Sequence, residues 1–203
     1  NWTPPERYAR WLDDVSVPEP ATLFDDYANR ASVHKTQKLM IDADMTLGSD
    51  LKVYPDKPLD KIPEMYRARN EAFRAINPQG KALVRWKYQT YLKDYLRCVK
   101  SVDDGVGRLL DYLDKNGLAG NTVVIYAADQ GFFIGEHGWF DKRWILEESL
   151  RTPLLVRWPG VSKPGTARSD LVSVIDVAET VLDAAGVPIP ADMQGRSLRP
   201  LLA

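Results

Sequence analysis

The sequence predicts an α/β domain, part of a mostly parallel sheet packed between helices. Three observations carry this. Thr122 to Ala128, TVVIYAA, is an apolar run rich in β-branched residues and without polar alternation, which suits a strand buried on both faces of a parallel sheet. Before it, from Leu83 to Asn116, apolar residues recur at three- and four-residue steps, the period of a helix. Pro153 to Trp158 then reads as a second buried strand. Helical and strand patterns that alternate in this way point to an α/β architecture.

Residues 1–82 are irregular, with Pro4, Pro5, Pro18, Pro20, Pro55, Pro58, Pro63 and Pro78 and little sustained periodicity. Short helices are expected around Pro4–Asp13 and Pro63–Ile76. So long a connection is unusual in a compact domain unless it is functional. Residues 83–203 read as the αβ core. Its first helix carries Trp86, Leu92, Tyr95, Leu96, Val99, Val102, Val106, Leu109, Leu110 and Leu113 in one stripe. The aromatic residues of that stripe are read as core, not as a cofactor box. Gly105 and Gly107 would either interrupt the helix or mark close packing on the sheet. Gly117 followed by apolar Leu118 fits a left-handed helix stop. Leu171–Val174 is a candidate short strand. Asp176 with Glu179 three residues on resembles a capping pair, for a helix ending at Gly186 before Pro188.

A chain of 203 residues can bury one sizeable core. With 27 basic and 28 acidic residues it has no charge footprint for nucleic acid or an anionic membrane. No apolar run approaches the ~20 residues of a spanning helix. The first residues are polar and begin at Asn1, so no secretory leader is read in them. The one cysteine, Cys98, excludes an internal disulfide.

The chemistry-bearing residues follow the first strand. In open α/β sheets ligands bind beyond the carboxyl ends of strands, and this strand ends on Asp129-Gln130-Gly131. His137 and Lys142 follow in a short, Gly-punctuated loop. Oxygen donors, an imidazole and an ammonium together suit a divalent cation and an anionic substrate. On spacing alone Asp129 is equally a turn residue or helix cap, and Lys142 an ordinary surface lysine. Arg143 and Trp144 could line a sugar site or anchor the loop. Arg151 is read as fixing the Glu147-Glu148 turn. His34, between Lys35 and Lys38 with no partner motif, is read as solvated.

The stretch from Thr122 to Arg157 resembles the sulfatase family of the alkaline-phosphatase-like superfamily. The matching residues are Ala128-Asp129-Gln130-Gly131, Gly135-Glu136-His137-Gly138, Asp141-Lys142-Arg143-Trp144, Glu147-Glu148-Ser149-Leu150-Arg151-Thr152-Pro153 and Trp158-Pro159-Gly160. Their order is similar to that of iduronate-sulfatase-like and mucin-desulfating members. Leu171–Gly186 and Gly195-Arg196-Ser197-Leu198 resemble the segments that close the family's catalytic domain. The resemblance implies a sulfuric ester hydrolase acting on a sulfated saccharide in polysaccharide degradation. It implies Ca²⁺ held by Asp129 and Gln130, with Lys142 on the sulfate. It leaves two roles for His137: touching substrate, or orienting its neighbours. It further implies a periplasmic or extracellular location, and that residues 1–82 form the active-site rim.

The departures are specific. The family's Cys-x-Pro-Ser-Arg motif, whose first residue becomes the formylglycine nucleophile, is absent: Cys98 is followed by Val99-Lys100-Ser101-Val102. The family's two early metal-binding aspartates and its upstream catalytic histidine are also missing. The chain is therefore expected to be the C-terminal portion of a sulfatase catalytic domain, inactive by itself, with the formylglycine upstream. Two other readings stand beside this. One is a phosphoesterase of the same superfamily, which would need further His and Asp ligands than two histidines provide. The other is a non-catalytic interaction domain. The oligomeric state is not legible.

Overall fold

The computed structural model describes residues 2–203. Residues 1–82 are irregular as expected. Pro4–Asp13 forms only a single 3-10 turn, Glu6–Tyr8, followed by further turns. A one-turn helix, α1, spans Val33–Thr36. Helix α2, Glu64–Ile76, starts directly after Pro63, whose fixed φ suits a helix entrance, with Glu64 favourable in the first turn. It stops where Asn77 turns left-handed (φ 42) before Pro78, which cannot continue it. Its buried residues, Tyr66, Asn70 and Phe73, fall on one helical face.

Helix α3 runs unbroken from Gly80 to Lys115. Gly105 and Gly107 neither break it nor mark close packing, since a Cβ at either would meet nothing within 4 Å. The buried residues of α3 are Lys87, Tyr88, Tyr91, Leu92, Asp94 and Arg97. The apolar stripe read from the sequence is only partly interior: Val99, Val102 and Leu109 are exposed. The helix stops as expected. Gly117 takes φ 68, and Leu118 N–H donates back to Leu113 O at 2.9 Å.

The chain divides into two compact units, Asn1–Val106 with Phe132–Ser149, and Gly107–Gly131 with Leu150–Ala203. In the first, the core is Leu23, Ile41, Met45, Leu51, Val53, Phe73, Tyr88, Tyr91 and Leu92. The irregular segment thus supplies much of the core. It is tied down by side chains of α2 and α3 in place of a backbone ladder. Lys87 Nζ donates to Ile41 O, Asp42 O and Met45 O at 3.0, 2.9 and 2.8 Å. Arg69 donates to Leu51 O, and Asn70 bridges Lys52 O and Tyr54 N–H. Buried Asp94 takes both prongs of Arg69, at 2.8 and 2.6 Å, and also Arg97 at 2.9 Å. A carboxylate this deep is tolerated because it is fully paired.

In the second unit, strand β1, Val124–Ala127, lies within the expected run. A hairpin of strands β2, Phe133–Ile134, and β3, Phe140–Asp141, belongs to the first unit. After the single helical turn α4, Glu147–Leu150, comes β4, Leu154–Arg157, the expected second strand. β4 pairs with β1 antiparallel, in the register Val124↔Arg157 to Ala127↔Leu154. The parallel pairing expected of this run is therefore not found between these two strands. Parallel neighbours need a crossover connection, usually a full helix, and only the hairpin and one helical turn intervene. Tyr126 and Leu155 of the pair are exposed.

Leu171–Val174 is not a strand, and Leu171 is wholly exposed. Helix α5 spans Asp176–Ala184 and ends before Gly186 as expected. Its acids do not make the expected capping pair. They dock the Gly195–Leu198 segment instead: Glu179 accepts from Gly195 N–H at 2.7 Å, Asp176 from Arg196 N–H at 2.8 Å, and Thr180 Oγ from Leu198 N–H at 2.9 Å. Ser197 Oγ donates to Asp183, which also pairs with Arg199. These contacts hold Asp183 below the usual carboxylate range, the Ser197 hydrogen bond contributing most. The chain closes with α6, Arg199–Leu202.

Candidate active-site loop

The β2–β3 hairpin presents the loop that the sequence singles out. Its tip is forced by close packing. Gly135 takes φ 116, and a Cβ there would lie 2.5 Å from the Tyr88 ring. Gly138 takes φ 69, and its Cβ would lie 2.8 Å from Leu23 O. Only glycine meets both demands. The hairpin is also zipped to residues 39–41: Ile41 N–H donates to Gly138 O and Phe140 N–H to Leu39 O, each at 2.9 Å. Between the glycines, His137 is itself left-handed (φ 58), as are Asp141 (φ 69) and, in a rarer region, Arg143 (φ 151). Such conformations cost about 1–3 kcal/mol each and persist where surrounding structure overrides them, commonly at functional sites.

His137 is buried, and both ring nitrogens face carboxylates. Nδ1 lies 3.0 Å from Asp25 Oδ2, and Nε2 lies 3.4 Å from Glu148 Oε1. Arg30 reaches Nδ1 at 3.1 Å and Asp25 at 3.1 Å. An Nδ1 that donates to Asp25 cannot also accept from Arg30, so the guanidinium is held through the carboxylate. Burial pushes Asp25 up, but its hydrogen bonds with His137, Tyr27 N–H and Arg30 outweigh that and hold it below the ordinary value. His137 N–H donates to Thr22 Oγ at 3.0 Å, and Tyr27 OH donates to His137 O. Tyr27 OH in turn accepts from Trp139 Nε1 at 2.8 Å. The neighbouring Glu136 accepts from Ile134 N–H at 2.9 Å.

Trp139 is completely buried, and His34 stacks on it, rings 5.6 Å apart and 13° from parallel. His34 is therefore half-buried in an aromatic stack and not solvated. Trp144 packs on His34 and Trp139, at 5.3 and 6.0 Å. Of the two residues with open roles, Trp144 thus anchors the loop. Arg143 lines a cavity.

That cavity has a volume of about 310 Å³ and is lined by Trp2, Asp50, Tyr91, Phe132, Phe140, Asp141, Lys142 and Arg143. Lys142 Nζ sits 5.8 Å over the Phe132 ring and 3.9 Å from Asp141 Oδ1, and Arg143 is 3.3 Å from Asp141 Oδ2. His137 is not among the lining residues. Two cations and two carboxylates in an aromatic-walled recess can hold an anionic group beside a polyhydroxyl body.

Asp129 and Gln130 belong to the second unit, directly beyond β1, Asp129 exposed and Gln130 half-buried. Among the described residues neither side chain is engaged by a hydrogen bond or ion pair. An unengaged carboxylate beside a neutral amide oxygen fits two positions of a hard-cation site. No cluster of three or more His, Cys, Asp or Glu able to hold a metal occurs among the described residues, so these two donors fit as part of a ligand set.

Sequence reasoning missed Asp25, Tyr27 and Arg30 as partners of the loop, and Asp50 as a cavity residue. Asp25 lies 112 positions from His137. Asp25-Asp26 reads only as a turn, so no local signal marks it.

The family profile described as N-sulphoglucosamine sulphohydrolase, C-terminal, matches residues 135–203. An N-acetylglucosamine-6-O-sulfatase of Bacteroides thetaiotaomicron is 42% identical over 222 aligned residues, which cover all of this chain and 40% of that protein. A solved structure described as a complex with its substrate, D-glucosamine-2-N,6-O-disulfate, superposes with a TM-score of 0.91 at 40% identity, covering all of this chain and 45% of that one. A phosphonate monoester hydrolase from Silicibacter pomeroyi superposes at 0.65 with 26% identity, over 98% of this chain and 34% of that one. The chain is therefore part of an α/β domain of alkaline-phosphatase-like fold. Along its whole length it is similar to members of the sulfatase family. It spans less than half the length of each of these relatives.

Proposed function

We propose that these 203 residues are the C-terminal portion of the catalytic domain of a sulfuric ester hydrolase that acts on a sulfated glucosamine saccharide. The observation that carries this reading is the 42% identity to an N-acetylglucosamine-6-O-sulfatase along the whole chain. The Lys142 cavity supports it chemically. In this proposal Lys142 binds the sulfate and offsets charge developing on the leaving oxygen. His137, tied to Asp25 and Glu148, holds the loop that carries Lys142. Asp129 and Gln130 supply two oxygen ligands to one Ca²⁺, whose chemistry is to bind and polarise the sulfate oxygens. The formylglycine nucleophile and remaining ligands would come from other parts of the protein. Residues 1–82 form the rim of the site. A periplasmic or extracellular location belongs to the same proposal, and no helix among the described residues is long and apolar enough to cross a membrane.

The test is to express the full-length protein that contains this chain and follow sulfate release from N-acetylglucosamine 6-sulfate. Desulfation that collapses in Lys142→Ala is the expected result. Hydrolysis of a phosphonate monoester in preference to the sulfate ester would favour the phosphoesterase reading, which the similarity to the phosphonate monoester hydrolase keeps in play. No hydrolysis of any ester would leave the non-catalytic reading.

A further inference from the structure

The cavity beside Lys142 contains a carboxylate that the sulfate chemistry does not use. Lys142 and Arg143 are both drawn toward Asp141, at 3.9 and 3.3 Å. Asp50 also lines the cavity and is differently held. Its Oδ2 accepts from Thr46 N–H at 2.7 Å and from Thr46 Oγ at 2.8 Å. Its Oδ1 accepts no hydrogen bond among the described residues, while the Lys87 ammonium interacts with the charge of the carboxylate as a whole. Beside a cavity meant for an anion, an acid with a free oxygen works against binding unless it meets a donor on the same ligand.

The segment that carries Asp50 is irregular, yet it is fixed along its length. Ile41 and Leu51 are fully buried. The buried Lys87 ammonium holds the carbonyls of residues 41, 42 and 45, while Arg69 and Asn70 hold those of 51 and 52. Burying an ammonium to fix a loop without regular pairing is costly, and its effect is to hold Asp50 in one place. The remaining walls are aromatic: Trp2, Tyr91, Phe132 and Phe140. Trp2 is itself set edge-on to Tyr95 and Phe132, with ring centroids 5.1 and 5.3 Å away. A rigid carboxylate with a free oxygen, flat apolar walls and a volume of about 310 Å³ match a single pyranose ring, whose hydroxyls donate and whose C–H faces pack on aromatics.

We propose that Asp50 reads the sugar in the Lys142 cavity, its free oxygen accepting hydrogen bonds from hydroxyls of the pyranose that bears the sulfate. This rests on the sulfatase reading above and adds to it the residue that separates a sugar sulfate from other sulfate esters. Asp50→Asn keeps an oxygen for Thr46 but loses the charge that strengthens hydroxyl hydrogen bonds.

In the full-length protein, kcat/KM is measured for N-acetylglucosamine 6-sulfate and for 4-methylumbelliferyl sulfate, which carries no sugar. In Asp50→Asn the ratio of the two should fall about ten- to hundredfold, the loss expected for one charged hydrogen bond to substrate. An unchanged ratio, whether both activities fall together or neither falls, overturns the proposal, because a purely structural role would damage both substrates alike. Calorimetric binding of N-acetylglucosamine separates this from failure of the sulfatase reading. If the wild type cleaves neither ester, the sulfatase reading falls. Asp50 then still stands if sugar binding weakens at least tenfold in Asp50→Asn, and falls if it does not.

Discussion

The Nδ1 of His137 lies 3.0 Å from the Oδ2 of Asp25, a contact that closes 112 positions of sequence. It joins the most motif-rich loop of the chain to a segment that looks like an ordinary turn. The backbone of His137 is strained, and this pair, with Glu148 on the other ring nitrogen, is what holds it. Removing either partner takes from the other its hydrogen bond across this contact, though Asp25 keeps Arg30 and His137 keeps Glu148. Asp25→Asn and His137→Gln should each cost about 1–3 kcal/mol of stability. The double variant should cost much less than their sum, because both break one interaction. Urea unfolding of the four proteins of the cycle measures the coupling, and simple additivity would mean the pair is not a unit.

The same carboxylate sets an acid limit. Asp25 is held below its ordinary value of 3.8, so the unfolded chain binds its proton more readily than the folded one. The stability it contributes is present above the unfolded pKa and is lost as pH falls through the lower, folded one. Unfolding midpoints taken from pH 5 downward should drop less steeply for Asp25→Asn than for the wild type. Parallel curves would show that other carboxylates dominate.

Gly138→Ala should destabilise the hairpin by about 1–3 kcal/mol, the scale of a strained left-handed residue, with the contact to Leu23 O adding to it. Gly160→Ala is the control, since its φ is 77 but nothing lies within 4 Å of the added methyl. The difference between their melting temperatures isolates the clash from the backbone conformation.

Lys87→Met should be among the most damaging single changes. It removes the donor that three buried or partly buried carbonyls share. Burial already pushes the Lys87 ammonium below its usual range, and those carbonyls together with the charges of Asp42, Asp50 and Asp44 offset part of that cost. A loss of about 3–5 kcal/mol is expected, as when one partner of a buried charged contact is removed. Limited proteolysis should then cut first within residues 41–54. Cleavage elsewhere would locate the weak point outside this segment.

Under the proposed function, Asp129→Ala and Lys142→Ala should fail differently in the full-length protein. A lost metal ligand weakens a site that mass action can refill, so excess Ca²⁺ should restore part of the Asp129→Ala activity. A lost sulfate clamp should cost ~10²-fold in turnover at any calcium concentration. Turnover of both variants across a calcium titration decides this. Near-wild-type turnover in Lys142→Ala would return Lys142 to the surface.

Much of the architecture is legible without coordinates because it is local. The 3.6-residue period and a Gly-Leu stop define α3, and the apolar run and its partner define β1 and β4. The direction of strand pairing is not local. Neither run encodes which way its neighbour travels, and antiparallel pairing follows from the connection between them. The Asp176–Glu179 spacing misleads for a similar reason: Asp176 takes Ser173 N–H just before the helix, but its other donor and that of Glu179 arrive from Arg196 and Gly195, beyond the helix.

The sequence by itself determined α2, α3 and α5, the runs that become β1 and β4, the loop carrying His137 and Lys142, and the resemblance to sulfatases. Those depend on side-chain order along a short stretch, which periodicity and motif spacing record directly. Only the tertiary structure decided what each loop residue faces. It turned His137 toward Asp25 and Glu148, put His34 on Trp139, and set Asp50 with Lys142 in one cavity. It also made a proline-punctuated segment into core, because buried Lys87 and Asn70 and half-buried Arg69 satisfy backbone carbonyls that no helix or sheet pairs. Such contacts depend on how distant pieces of chain meet, and residue spacing carries no record of that.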